Sequence, residues 1–540
     1  MALISIDIET KDPDLKTRGA GVRRGDGHIC GIAIASEAKP RGIYYSLTHP
    51  ESENTDWNTL QRVLSDHARL CTGVVGANLI YDLDWIEEEF GVTFYHVPWY
   101  DVQVAEPLID EETTYGLGDL GERYLGTGKN EDALYRFCAE HFGGNPTRRA
   151  QAKNIWRCPS RIVAPYAEED AALALAVWKK QREVLREEGL WEIFDLERRL
   201  QPILLRMKRR GVRIDEEHLA ALRRKFAADR DGLLHELGDV NIWAAASIAE
   251  AFDGAGVAYP RTEKGNPSFT RQFLESCQWP TAQKIVKARR LDKLIGTFLD
   301  NAISKNLVRG RLHCQFNQLR GDEYGTVTGR LSQIEPRLVL TYAANLRGAM
   351  DMINAYADNP DLDCYDGMMK TMPPWLDRNA VKAIYLGSIY GMGIDKLADQ
   401  MNVAREEAER AYWAFHDSAP YLRQLAKMVT RLAETKGRVR TIGGRYRRFK
   451  DTRFAYKGLN AVIQGGAADI MKRALVTGVE EGLELPLLTV HDELDFSLLD
   501  KGQALWWRGI MEEVYSDQLK VQMRVDPEMG PSWGEVEKVQ

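Results

Sequence analysis

Leu487, Leu488, Thr489, Val490, His491, Asp492, Glu493, Leu494, Asp495 and Phe496 form the stretch around which the rest of the chain can be arranged. Apolar and β-branched residues flank a polar tip, so the pattern predicts two short strands turning over His491, Asp492 and Glu493. A carboxylate held on such a tip, with a second on a neighbouring strand, suits a pair of Mg²⁺ ions that clamp the attacking and leaving oxygens of a phosphoryl transfer. Taken alone, a polar-tipped hairpin is far more often simply a hairpin. The metal reading needs support from what precedes it.

At 540 residues the chain exceeds one hydrophobic core and predicts three or four domains. Its 44% hydrophobic and 28% charged residues are those of a soluble globular protein. The net charge of -7 argues, if anything, against nucleic acid, so a DNA partner has to be argued from where the basic residues sit. Seven cysteines without a C-x-x-C pair give neither a disulfide framework nor a zinc site, which fits a reducing cytoplasm. No apolar run reaches the length of a membrane span, and Met1 to Thr10 lacks a signal-peptide pattern.

In Leu3 to Glu9 the alternation has period two, so Ser5, Asp7 and Glu9 share one face of a strand. A second apolar run, Gly73 to Ile80, leads into Asn78 and Asp82. A third element is predicted to start at Pro165, with Tyr166 and Asp170 four residues apart on one helix face. Separately these read as an edge strand, a loop aspartate and a capped helix. Together D-x-E, N-x-x-x-D and Y-x-x-x-D resemble the 3′ to 5′ exonucleases of the DEDD class, in the subclass with a tyrosine. The resemblance, from about Met1 to Glu188, implies a ribonuclease H-like mixed sheet with Asp7 and Glu9 on its central strand. It also implies that Asp7, Glu9, Asp82 and Asp170 hold two Mg²⁺, with Mn²⁺ as a substitute, and that Tyr166 orients the attacking water.

From about Glu197 long helical patterns take over, with basic runs at Arg206 to Arg213 and Lys284 to Lys293. These are either solvated faces or a helical surface gripping duplex phosphates. Further on, Arg378, Lys382, Leu386 and Tyr390 form one helical stripe. Its cations suit a triphosphate and its tyrosine a base; the alternative is surface charge on a packed helix. Lys436 to Arg453 holds eight basic residues against one acid around Gly443 and Gly444, a density that suits phosphates.

T-x-T-G-R-L-S at Thr326 to Ser332, S-Q-I-E-P-R at Ser332 to Arg337, R-x-x-x-K from Arg378 to Tyr390-Gly391, Q-G-x-A-A-D at Gln464 to Asp469 and His491-Asp492-Glu493 occur in the order of a family A DNA polymerase of bacteriophage type. This resemblance implies an α/β multidomain chain: exonuclease 1–189, thumb and connecting helices 190–310, palm 311–345 and 455–540, and fingers 346–454. It implies that Asp492 binds catalytic metal with Glu493 in support. Glu335, Arg378, Lys382, Leu386 and Tyr390 would receive the nucleotide, Lys382 also steadying the leaving pyrophosphate. Thr328, Arg330, Arg445, Arg447, Asn460, Gln464 and His491 would touch DNA. Implied partners are primer-template DNA, deoxynucleoside triphosphates and an accessory processivity or replisome protein, with no membrane; the implied location is the cytoplasm of an infected bacterium.

Two departures stand out. The family's first catalytic aspartate stands five residues before the glutamate of S-Q-I-E, and Arg330 fills that place. Arg330 is also the arginine of T-G-R-L-S, which ordinarily precedes the aspartate by a few dozen residues. A segment carrying the aspartate is therefore expected to be absent, leaving a discontinuity between about Gly329 and Gln333 wider than the ~3.8 Å of adjacent Cα atoms. Leu386 stands where Phe or Tyr is usual, which puts ribose discrimination at that contact in doubt.

Overall fold

A computed structural model describes residues 2–316, 318, 333–490, 492–498 and 500–539. They divide into two compact units, one built from 1–209 with 315–540, the other from 210–314. The expected discontinuity between Gly329 and Gln333, together with Thr328, Arg330 and His491, lies outside the described residues.

In the first unit, strands β1 (Ile4–Lys11), β2 (His28–Ser36), β3 (Ile43–Ser46), β4 (Val74–Gly76) and β5 (Trp99–Asp101) form one sheet in the order β3-β2-β1-β4-β5. β1 pairs antiparallel with β2 and parallel with β4, so it is the central strand of a mixed sheet. Ile4, Ile6 and Ile8 point into the core, which fixes Ser5, Asp7 and Glu9 on the opposite face. Their partners on β2 are small: Asp7 faces Ala33 and Glu9 faces Gly31. A register shift between Glu9 and Thr10 interrupts the ladder just beyond the second carboxylate, before pairing resumes at Thr10 and Lys11.

Helix α1 (Leu79–Phe90) follows β4 through Asn78, which is left-handed at φ 69° and makes no side-chain cap. Asp101, at the end of β5, takes over by accepting the Leu79 N–H at 2.8 Å. Helix α2 (Leu117–Leu125) packs on the long α3 (Ser160–Glu187), which covers the sheet's carboxylate-bearing side. α3 begins at Ser160 rather than at the expected Pro165, which lies inside it. Proline removes one hydrogen bond past the four N–H groups a helix leaves open anyway, and the buried face from Val163 to Trp178 holds the helix through that loss.

Helix α4 (Trp191–Arg210) accounts for part of the first basic run. Lys208 and Arg209 both reach Asp84 of α1 at 2.8 Å, and Arg209 also reaches Glu87 at 3.0 Å. These two cations tie helices together and do not form a phosphate-gripping face.

The second unit has its own core. Phe252 sits edge-on to Trp279 at 4.7 Å and against Phe269 at 5.0 Å. Of its basic run, Lys284 pairs with Glu236 at 2.8 Å, and Arg289 donates to the Ile242 carbonyl at 2.6 Å while lying over the Trp243 ring.

The C-terminal part of the first unit is mostly helical, with α5 (Ile334–Ala343), α6 (Arg378–Ile389), α7 (Pro420–Lys436) and α8 (Gly458–Glu480). Among its hairpins are β6 (Arg438–Arg440) with β7 (Tyr446–Arg448), and β8 (Leu488–Val490) with β9 (Glu493–Asp495). The second is the hairpin expected from the opening stretch, with Asp492 in its turn. Arg337, within α5, is buried and donates to the Gln522 and Pro360 carbonyls at 2.5 and 2.8 Å. Among the described residues no helix is long and apolar enough to cross a membrane.

Candidate active sites

Three elements converge on the first site. β1 brings Asp7 and Glu9, the first turn of α1 brings Asp82, and α3 brings Tyr166 and Asp170. Glu9, Asp82 and Asp170 are buried. Burial, then the charge of Asp170, pushes the Asp7 carboxyl up to about 8 against the pull of Lys129 and Arg148. Glu9 is raised well above the usual range by burial and then by Asp7 and Asp170; Asp82 is raised by burial and then by Asp7, Asp101 and Glu9. Such mutual pressure is that of carboxylates gathered in one neighbourhood.

The pocket leaves oxygens without partners: Asp7 Oδ2, Asp82 Oδ2 and Asp170 Oδ1 are buried and accept no hydrogen bond. Hard anionic oxygens crowded together and unsatisfied are what a divalent cation such as Mg²⁺ or Mn²⁺ takes as ligands. Among the described residues no three such side chains already stand in a closed ligand set. The Lys129 ammonium donates to Asp170 Oδ2 and lies 5.2 Å over the Tyr166 ring. Lys129 and Arg148 escaped the sequence reading because one sits in an irregular loop and the other on a helix of only 4 residues, too short for periodicity to flag it.

A second group gathers around the Asp492 turn. Glu335, on the first turn of α5, is raised by burial and then by the charge of Asp492, while Lys382 of α6 pulls it back. At the C-terminal end of α6, Tyr390 Oη accepts a 2.8 Å hydrogen bond from Gln464 Nε2 of α8. Glu335, Lys382, Tyr390, Gln464 and Asp492 thus belong to one neighbourhood. Arg378 stands at the other end of α6, with its Nε 2.9 Å from Asp363 Oδ2. Leu386 is half-buried against the helical core.

On β9, burial and then Glu493 push the Asp495 carboxyl up to about 7. Trp533 Nε1 donates to Glu493 Oε1 at 3.3 Å. Asn460 Oδ1 is buried without a partner. Arg447 is exposed, 3.6 Å from Glu111. Arg445 is not free for a phosphate: it donates to Asp469 Oδ1 at 3.0 Å and to Glu197, which also accepts from Lys472 at 2.5 Å. The charge density of the 436–453 segment concealed this, since Asp469 and Glu197 lie far from it in sequence.

The sequence profile described as DNA polymerase family A matches residues 340–535, and that described as 3′-5′ exonuclease matches residues 2–186. The chain is 31% identical to a DNA-directed DNA polymerase of Pseudomonas phage M6, over 98% of this chain and 94% of that protein. It is 30% identical to the DNA polymerase DpoZ of Salmonella phage PMBT28, over 95% and 97%. The M6 alignment runs over 635 positions, more than the 540 residues of this chain, so that relative carries residues with no counterpart here. In structure the chain resembles the POL domain of Pol1 from M. smegmatis, solved with DNA primer-template and dNTP, at a TM-score of 0.73 and 21% identity, covering 98% of this chain and 95% of that one.

Proposed function

Because this chain belongs to the family A DNA polymerases and carries a 3′-5′ exonuclease domain, we propose that it copies primed phage DNA and trims mispaired 3′ ends at two separate sites. The observation that carries the trimming half is the set of orphaned, mutually repelling oxygens of Asp7, Asp82 and Asp170. Asp7, Glu9, Asp82 and Asp170 would hold two divalent ions, which when bound lower the pKa of a water and offset charge at phosphorus. Tyr166, whose buried phenol keeps its proton, orients that water from α3. A mispaired terminus stacks poorly and frays, so it reaches this site more often than a paired one, adding a second stage of selection.

In the polymerase half, Asp492 supplies a metal-binding carboxylate with Glu493 beside it. Lys382 and Arg378 receive the triphosphate, and Lys382 steadies the departing pyrophosphate. Glu335 crowds the 2′ position of the incoming sugar, and Tyr390, held by Gln464, lies at the templating base. Arg447, Asn460 and Gln464 contact the duplex. Palm (311–345 and 455–540), fingers (346–454) and thumb (190–310) follow the exonuclease domain (1–189). Primer-template DNA and deoxynucleoside triphosphates are the partners, in the cytoplasm of the infected cell.

One observation favours a second reading. Arg330 occupies the place of the first palm aspartate, and the M6 relative has residues this chain lacks. A chain without that aspartate would grip DNA and trim it but extend it poorly. Incubation with a primed template, Mg²⁺ and all four deoxynucleotides decides: extension supports the first reading, shortening alone the second, and neither overturns both.

A further inference from the structure

Two cations on the exonuclease domain are placed as no sequence motif would require. Lys129 lies in the loop after α2, its stem against Gly118, where a Cβ would sit 3.5 Å from Lys129 Cγ. Its side chain is only 10% exposed, although it ends in a charge. That ammonium donates to Asp170 and lies over the ring of Tyr166, so it touches the two α3 residues of the site. Arg148 opens the short helix Arg148–Gln151, and its charge acts on Asp7, Glu9 and Asp170. Buried Gln151 anchors that segment by donating to the Gly143 and Asn145 carbonyls, both at 2.9 Å.

Charge balance suggests what these cations are for. Two divalent ions against four carboxylates leave the pocket neutral. The phosphodiester then enters with a negative charge of its own, which grows as an anionic oxygen attacks, and further positive charge must meet it. Burying an ammonium as a mere filler is costly unless its partner persists, and Asp170 ceases to be a full partner once it faces a metal.

We infer, on the basis of the exonuclease reading above, that Lys129 is a substrate-contacting residue of the trimming reaction. Its ammonium turns from Asp170 to a non-bridging oxygen of the scissile phosphate. The reaction itself is plain hydrolysis. Water oxygen bonds to phosphorus, the bond to the 3′ oxygen of the penultimate nucleotide breaks, and that oxygen leaves with a proton as an alcohol. Lys129 keeps its own proton throughout.

The test uses the full chain with Lys129→Ala, Lys129→Arg and Lys129→Met, the last keeping the stem against Gly118 should the alanine variant fail to fold. Two quantities are measured: the rate of shortening of a 5′-labelled single-stranded oligonucleotide at saturating Mg²⁺, and Mn²⁺ affinity by calorimetry. Loss of the ammonium should slow turnover about 100-fold. Arginine should recover most of it, and Mn²⁺ should bind as tightly as before or more tightly, because a competitor for Asp170 is gone. A rate within about threefold of wild type, or a loss that follows weakened Mn²⁺ binding, would overturn the inference, since metal-site organisation would then explain everything. A wild-type protein that shortens nothing would instead overturn the exonuclease reading beneath it.

Discussion

Arg445, on the loop between β6 and β7, donates at 3.0 Å to Asp469 on α8, and the same guanidinium reaches Glu197 on α4. Lys472 completes the group at 2.5 Å from Glu197. Burial alone would raise Glu197, but Lys472 and Arg445 outweigh it and hold the carboxyl at about 2, against an ordinary 4.5. A carboxylate depressed in the folded state contributes stability above its unfolded pKa and loses it as pH falls through the folded value. The thermal midpoint should therefore fall between about pH 4.5 and pH 2 through this group. Glu197→Gln, which leaves buried Lys472 and half-buried Arg445 under-compensated, should cost about 3 kcal/mol at pH 7 and progressively less towards pH 2, read by calorimetry across that range.

Asp101 governs Asp82 from a distance. It accepts the Leu79 N–H at 2.8 Å and the Gln103 N–H at 2.9 Å, fixing the helix start from which Asp82 projects. Asp101→Ala removes a cap and strands buried donors, at a cost of about 1–3 kcal/mol. Oligonucleotide shortening should slow as well, because the first turn of α1 loses its anchor; unchanged shortening at lowered stability would detach the cap from the site.

Repulsion among the four nuclease carboxylates sets a trade-off. Without divalent ions, Asp7→Asn should raise the thermal midpoint at neutral pH, since it removes a carboxyl whose ionisation burial and Asp170 both disfavour in the folded state. In wild type, added Mn²⁺ should raise the midpoint; in Asp7→Asn that rise should shrink or vanish. Melting curves in chelator and in Mn²⁺ give both comparisons.

The contact between Gln464 and Tyr390 allows the tyrosine's ring and hydroxyl to be separated. Tyr390→Phe keeps the ring and should change primer-template affinity less than about threefold. Tyr390→Ala loses base stacking worth about 1–3 kcal/mol and should weaken binding about fivefold or more. Fluorescence anisotropy at fixed salt measures both.

Much of the nuclease pocket could be read from the chain because its residues sit on periodic elements. Alternation fixed the face of Asp7 and Glu9, and helical spacing placed Tyr166 beside Asp170. The opening hairpin was legible for the same reason. Charge was read less well. Lys208 and Arg209 were left open between a solvated face and a duplex grip, and Arg445 was expected at DNA, because a linear sequence hides Asp84, Glu197 and Asp469, the acids that fold against them. Lys129 was missed for the converse reason, being one basic residue in an irregular loop that only the fold carries to Asp170. The start of α3 was misplaced because proline is a signal of where helices begin, and tertiary burial overrode it.

The central claim is that Asp7, Glu9, Asp82 and Asp170 form a divalent-metal nuclease site independent of Asp492. The most direct measurement is the rate at which Mg²⁺-supplied protein shortens a single-stranded 3′ end, compared for wild type, Asp7→Ala and Asp492→Ala. Asp492→Ala should trim at the wild-type rate and Asp7→Ala should not trim. Equal loss in both variants, or trimming by Asp7→Ala at the wild-type rate, would contradict the account.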